Sequence, residues 1–496
     1  MPANGRAGVL LTLALDPQGP APLFRQVYDG LRAAILAGRL GPGARLPASR
    51  GLARELGVSR NTVLSAYEQL LAEGYLEGRL GSGTYVPPAL PDDLLRAAPA
   101  PPVGRPAAGP RRSLSQRGRE LAAARVTVAQ TAPKLRPFRP GVPSFDDFPF
   151  DLWVRLVARR WRRPPPELLS YGDPAGYRPL REAIAGYVQA ARAVQCEPEQ
   201  VVIVTGSQQG LDLTARVLLD PGESAWIEDP IYPGTRGAFQ GAGVRFVPVP
   251  VDSDGLDVAT GEARCPDARL AYVTPSHQYP LGVVMSLPRR LALLDWARRA
   301  GAWVLEDDYD SEFRYGGRPL AALQGLDRDG RVIYLGTFSK VLFPSLRLGY
   351  LIVPPDLVDA FTTARAAADR FACTLTQAVV ADFIAEGHFA RHVRRMRTLY
   401  AARQEALVRG VRRELGGWVE AGPSEAGLHL LGWLADGLDD RRVSAAAGAA
   451  GVEAPPLSRY RLGPGRGGLM LGYAAYDVRP IREGVRRLAE VFRSLA

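Results

Sequence analysis

The sequence predicts a multidomain protein, a small N-terminal helical module tethered to a large α/β domain. Three observations predict it. Residues 22–86 read as helix, short helix, turn, helix and hairpin. Residues 89–140 are dominated by proline and arginine. From residue 141 onward, short apolar β-runs alternate with helical stretches. The expected domains are therefore 1–88, a linker over 89–140, and 141–496. A chain of 496 residues is too long for one ordinary core. Its 46% hydrophobic and 23% charged content fits a folded, water-soluble protein.

Each element of the first module has a local cause. Pro22 to Ala37 carries Leu23, Val27, Leu31 and Ile35 on one helical stripe, and Gly38 stops it. Ser49 reads as the N-cap of a second helix, Arg50 to Leu56, and Gly57-Val58 as the next turn. Ser59 caps a third helix, Arg60 to Glu73, with Val63, Ala66, Tyr67 and Leu70 inward. Tyr75-Leu76-Glu77 and Gly83 to Val86 read as two short strands around Gly81-Ser82-Gly83. This order is that of a winged helix-turn-helix. Its third helix would enter the major groove of double-stranded DNA and present Ser59, Arg60, Asn61 and Thr62 to base edges. Arginine matches guanine and asparagine matches adenine bidentately. A net charge of +11 permits such a partner. A protein-interaction module is the alternative for any small three-helix domain. The run LPASRGLARELGVSRNTVLSAYEQLLAEGYL, followed by GSGTYV, closely resembles the GntR family of bacterial regulators. That resemblance implies that Arg50, Ser59, Arg60, Asn61 and Thr62 contact DNA, with Gly83 in the wing.

The linker holds PAPPVGRPAAGP and then a run of basic residues opposed only by Glu120. It would act as a tether, either tracking phosphates or simply solvated. Part of Arg111 to Ala124 has helical character. The three cysteines, Cys196, Cys265 and Cys373, are far apart and form no CxxC. This pattern argues against a disulfide framework or a zinc cluster and fits a reducing cytoplasm. No metal site is expected. Val9 to Leu15 lacks a basic leader and runs into Asp16-Pro17, a poor signal peptide. No apolar run approaches the length of about 18 residues that a membrane span needs.

In the large domain the expected strands are Val201–Val204, Ala225–Glu228, Leu270–Val273, Trp303–Leu305 and Val332–Leu335. A helix is expected over Leu211–Leu219. Strands alternating with helices imply a doubly wound sheet with function at the C-terminal strand ends. There the decisive stretch is Gly336-Thr337-Phe338-Ser339-Lys340. Of the 62 Lys and Arg residues only Lys134 and Lys340 are lysines. A primary amine can lose its proton and attack a carbonyl, whereas a guanidinium cannot. Lys340 lies between two apolar β-runs, where desolvation would lower its pKa. Lys134 lies among prolines and is the weaker candidate. The reading is a Schiff-base lysine, most naturally for pyridoxal 5'-phosphate.

Neighbouring motifs supply the rest of such a site. Thr205-Gly206-Ser207-Gln208 turns a strand into a helix N-terminus, a phosphate cradle. Arg347 would neutralise the same phosphate, with Thr337 and Ser339 adding hydroxyls. Asp307 would pair a pyridinium nitrogen, although it equally fits an N-cap. Tyr309 would bond the ring oxygen and Tyr232 stack on the ring; taken singly, both also fit packing roles. His277, one of four histidines, reads as a local hydrogen-bonding residue.

The runs TPSHQYPLG, EDDYDSEFRY and GTFSKVLFPSLRLGYL resemble a fold-type I aminotransferase domain fused to a GntR head, the MocR-type regulators. The resemblance spans essentially the whole chain. It implies a transcription regulator in which Lys340 forms an internal aldimine and Asp307, Tyr309 and Tyr232 hold the ring. It further implies that Ser207, Gln208, Thr337 and Arg347 hold the phosphate, and that the chain is a homodimer. The effector would be pyridoxal phosphate or an amino compound. Catalytic relatives carry Asn-Pro-x-Gly where this chain has Tyr279-Pro280-Leu281-Gly282, which argues against efficient turnover but leaves a half-reaction open. Ala474-Ala475-Tyr476 stands where an arginine clamps the ligand carboxylate in some relatives. That departs from the γ-aminobutyrate responders and leaves a sensor of pyridoxal phosphate, controlling vitamin B6 synthesis, as one reading. The alternative function is a working aminotransferase with an accessory DNA-binding module.

Overall fold

A computed structural model describes residues 13–79, 81–92, 113–123, 136–316 and 320–495. Lys134 and most of the expected linker lie outside the described residues. The chain divides into two compact units, residues 1–112 and 113–496.

In the first unit α1 spans Leu23–Leu36, α2 Ser49–Leu56 and α3 Arg60–Ala72; β1 (Glu77–Arg79) and β2 (Gly83–Tyr85) form an antiparallel hairpin. Val27, Leu31, Ile35, Leu52, Val63, Ala66 and Leu70 make one shared core, as helical spacing dictates. Ser59 caps α3 through its hydroxyl, which accepts from the Thr62 N–H at 3.1 Å. Ser49 is not a cap. It is the first helical residue of α2, and Ala48 precedes it without a side-chain bond.

The second unit is built on an eight-stranded sheet in the order β3-β10-β9-β8-β7-β4-β5-β6. The strands are β3 Val201–Val204, β4 Ser224–Asp229, β5 Arg245–Asp252, β6 Gly255–Leu256, β7 Leu270–Val273, β8 Trp303–Asp308, β9 Val332–Thr337 and β10 Gly349–Ile352. The adjacent strands β5, β4, β7, β8 and β9 are parallel, and β10 lies antiparallel between β9 and β3. Apolar clusters line the sheet and bury most of its side chains. A separate three-stranded sheet is formed by β11 (Val419–Glu420), β12 (His429–Leu434) and β13 (Gly468–Gly472).

Two boundaries differ from expectation. The helix after β3 begins at Ser207 rather than Leu211, so Ser207 and Gln208 sit in its first turn. β8 runs through Glu306, Asp307 and Asp308 instead of stopping at Leu305, so Asp307 lies within the strand rather than beyond it. Acidic residues are poor strand formers, but two of the three find partners on one face of the sheet. Glu306 accepts the Leu323 and Gln324 N–H groups, and Asp308 pairs with Arg192 at 2.8 Å.

The C-terminal end of the stretch read as a tether is anchored in the second unit. Phe138 is fully buried in its core. The carbonyl of Arg136 accepts from the Tyr476 hydroxyl. Among the described residues no helix is long and apolar enough to cross a membrane.

Candidate cofactor site and DNA interface

Strand alternation sorts the acidic run of β8. Side chains of successive strand residues point to opposite faces. Glu306 and Asp308 therefore bond away from the site, and Asp307 turns toward it. Its Oδ2 accepts from the Tyr272 hydroxyl at 2.9 Å. Its Oδ1 is buried and has no partner among the described residues. Burial pushes the carboxyl up to about 7, the Tyr272 bond opposes this, and Asp308 adds to it. A buried acceptor without a donor is costly, so Oδ1 calls for a bound N–H, as a protonated pyridine nitrogen would supply.

Lys340 follows β9, beyond Thr337. Its Nζ donates to the Gly141 carbonyl at 2.8 Å. A Cβ on residue 141 would sit 2.9 Å from that amine, and the φ of 72° at this position is one that glycine adopts readily. Desolvation lowers the lysine pKa, while Asp310 and Asp307 raise it. The net lowering favours the neutral, nucleophilic amine.

The phosphate end is assembled from β3, the helix Ser207–Leu218 and the turn before β10. The first-turn N–H groups of a helix have no intrahelical acceptor, which leaves those of Ser207 and Gln208 for an anion. Arg347 is exposed and its Nη2 donates to the Thr205 carbonyl at 2.8 Å. Its guanidinium lies over Gly206, where a Cβ would come within 3.2 Å of both terminal nitrogens. The Gln208 side chain is engaged with the Gly234 carbonyl at 2.9 Å. The Thr337 hydroxyl accepts from the Ser339 N–H at 3.2 Å. The Thr337 hydroxyl, at the end of β9, is thus engaged with the turn leading to Lys340.

An aromatic wall closes the site. Tyr279 is its hub, edge-on to Tyr232 at 5.5 Å, Tyr309 at 5.7 Å, His429 at 5.6 Å and Tyr460 at 5.7 Å between ring centroids. The Tyr309 hydroxyl lies 2.9 Å from His277 Nδ1. The position that departs from Asn-Pro-x-Gly is therefore filled by a ring that packs against both of the expected ring-holding tyrosines. Sequence reasoning left Tyr279, His277, Asp310, Gly141 and His429 out of the site. The scarcity of histidine was the available signal, since two of four meet here at 5.3 Å.

Behind the wall Glu228 ties two loops together. Its carboxylate accepts from the Thr274 hydroxyl at 2.6 Å and from Gln278 Nε2 at 3.1 Å. Gln278 Nε2 also donates to the Pro230 carbonyl at 3.0 Å, so the loops carrying Tyr232 and Tyr279 are held in register. Burial raises the Glu228 pKa from 4.5 to about 7, against lowering bonds from Thr274 and Gln278. The folded protein keeps this proton where the unfolded chain has lost it. Stability therefore falls as pH rises above the ordinary value and levels off once pH passes about 7. Glu228→Gln removes the titration. Denaturation curves should show the variant gaining on the wild type by an amount on the order of 1–3 kcal/mol across that window. A gap independent of pH would contradict the assignment.

In the first unit Arg50, Ser59, Arg60, Asn61 and Gly83 are exposed and Thr62 is half-buried. The Ser59 and Thr62 hydroxyls lie 2.8 Å apart and serve the cap. Arg60 and Asn61 are both exposed at the start of α3, and Arg60 Nε approaches the Ser49 hydroxyl at 3.5 Å. Arg45 was not expected here. Its guanidinium lies beside Gly83 on the wing, 3.1 Å from where a Cβ would be.

A helix-turn-helix head and an aminotransferase-type sheet with a lysine site define a transcription regulator built on an aminotransferase fold. Residues 144–446 match the family "Aminotransferase class I and II", and residues 23–86 match "Bacterial regulatory proteins, gntR family". The chain is 46% identical over 484 residues to the probable rhizopine catabolism regulatory protein MocR of Rhizobium meliloti, covering 97% of this chain and 96% of that one. It is 34% identical to the pyridoxine biosynthesis regulator PdxR of Corynebacterium glutamicum, over 95% of this chain and 96% of the relative. Among solved structures it is similar to the α-aminoadipate aminotransferase LysN of Thermus thermophilus, with a TM-score of 0.68 and 32% identity over 77% of this chain and 95% of that one. The chain belongs to the MocR-type regulators of the GntR superfamily.

Proposed function

We propose that this regulator binds pyridoxal phosphate at Lys340 and that the cofactor, alone or with an amino compound, sets its affinity for operator DNA. The observation that carries the reading is the pairing of a desolvated lysine amine with a buried Asp307 oxygen that has no partner among the described residues, in one site. Bound pyridoxal phosphate supplies an aldehyde that reacts with primary amines and a ring whose protonated nitrogen withdraws electrons.

In this reading each residue has a stated task. Lys340 presents the neutral amine. Asp307 holds a proton on the ring nitrogen. Arg347 and the Ser207 and Gln208 N–H groups bind the phosphate, with Thr337 and Ser339 shaping the turn beside it. Tyr309 donates to the ring oxygen and Tyr232 covers the ring. Residues 1–88 read DNA, 89–140 join the two functions with their C-terminal end packed on the second unit, and 141–496 sense. The protein acts as a cytoplasmic homodimer. Its relatives are named for rhizopine catabolism and for pyridoxine biosynthesis, so the effector is assigned by titrating pyridoxal phosphate first and amines second.

Adding pyridoxal phosphate to the purified apoprotein should produce a long-wavelength absorbance band and saturable binding. Absence of both would overturn the reading. Multiple turnover with an amino acid and a keto acid would instead favour a working transaminase, the activity of a 33% identical relative. On the DNA side, Arg60→Ala should weaken specific binding by about 1–3 kcal/mol and relax preference at one base position. An unchanged affinity and specificity would remove Arg60 from the interface.

A further inference from the structure

The buried group that the proposed site does not use is His277, together with Asp310. Both are 1% exposed. His277 Nδ1 lies 2.9 Å from the Tyr309 hydroxyl and 3.2 Å from Asp310 Oδ2. A carboxylate oxygen accepts, so Nδ1 carries the proton between them. That N–H is shared between Asp310 and the phenol oxygen, and the phenol keeps its own O–H. The imidazole has no room to swing away. A Cβ on Gly427 would fall 2.1 Å from its Cε1, so glycine alone lets that loop close on the ring. His429, whose Nε2 lies 3.1 Å from the Pro280 carbonyl, flanks it at 5.3 Å between centroids. Gly427 and His429 lead into and begin the three-stranded sheet, so that sheet holds the imidazole from one side and β8's following turn holds it from the other.

We propose that His277 is the positioning residue for Tyr309. Its Nδ1–H, oriented by Asp310, fixes the phenol so that the O–H is left to donate to the ring oxygen of pyridoxal phosphate. The inference rests on the cofactor reading above. It gives the His-Gln segment of the Tyr279 loop a role that none of the phosphate- or ring-holding residues supplies.

Variants at one position separate positioning from packing. Asparagine places an amide near Nδ1, glutamine places one near Nε2, and leucine places none. His277→Leu should weaken pyridoxal phosphate binding by about 5- to 30-fold, the scale of one lost buried hydrogen bond, and shift the absorbance band. His277→Asn should stay within about 3-fold of wild type, and His277→Gln should resemble leucine. In a Tyr309→Phe background His277→Leu should add less than about 2-fold, because both act through one bond. An asparagine variant no better than glutamine, or a fully additive double variant, overturns the proposal. If leucine does not fold, as circular dichroism would show, the asparagine and glutamine pair still decides. A wild-type protein that shows no band at all brings down the cofactor reading, and this inference with it.

Discussion

Lys340→Ala is expected to abolish every borohydride-stable adduct between this protein and pyridoxal phosphate at its side chains. The expectation follows from a count and a contact. The chain has two lysines, and Lys340 has its amine lowered in pKa and set against the Gly141 carbonyl. Lys340→Arg should fail in the same way, because the guanidinium keeps its charge and cannot act as the nucleophile. Peptide mapping after reduction reads the result directly. A reduced adduct retained on Lys134 in the alanine variant would show that the assignment is wrong. The same variant should leave the fold of the DNA-reading unit unchanged, since its core is made within residues 13–90.

Asp307→Asn has the second largest expected effect. Removing one partner of a buried charge pair costs about 3–5 kcal/mol, so affinity for pyridoxal phosphate should fall about 150- to 5000-fold. In the wild type the apoprotein carboxyl is pushed up to about 7, chiefly by burial. Only its charged form pairs with a protonated ring nitrogen. Cofactor affinity should therefore weaken as pH falls through about 7, in the same direction as the protonation of the Lys340 amine. Isothermal titration of wild type and Asp307→Asn across that window checks both the loss and its sign. An asparagine variant that binds within a few fold of wild type would place the ring nitrogen elsewhere.

Much of this architecture was legible in the sequence because its causes are local. Apolar stripes and turn residues set α1 to α3, and β-runs such as Leu270–Val273 need no tertiary context. Lys340 stood out because lysine is nearly absent from the chain. Where the reading slipped, a distant partner had overridden local preference. The apolar β-run ends at Leu305, yet Arg192, Leu323 and Gln324 satisfy two of the three acids that follow and let β8 continue. Ser49 looked like a cap, but the chain enters α2 one residue earlier.

The same reasoning explains the residues that were left out. Tyr279 touches His429 across 150 positions and Tyr460 across 181, and no local pattern predicts such contacts. His277 meets Tyr309 and Asp310 only after β7 and β8 pair side by side. Gly141 matters through Lys340, 199 residues away. Sequence patterns located the chemistry at each strand end, and the fold supplied the neighbours that tune it.

The central claim is that the lysine site reports to the DNA-reading head. Any ligand that shifts DNA affinity must bind the DNA-free and DNA-bound forms differently, and the coupling works equally in both directions. The direct measurement is a titration of operator DNA with full-length protein in the absence and presence of saturating pyridoxal phosphate, repeated with Lys340→Ala. The account predicts that the cofactor changes wild-type affinity by about 5- to 150-fold and leaves the alanine variant unmoved. Identical wild-type curves with and without pyridoxal phosphate, and with added amines, would contradict it.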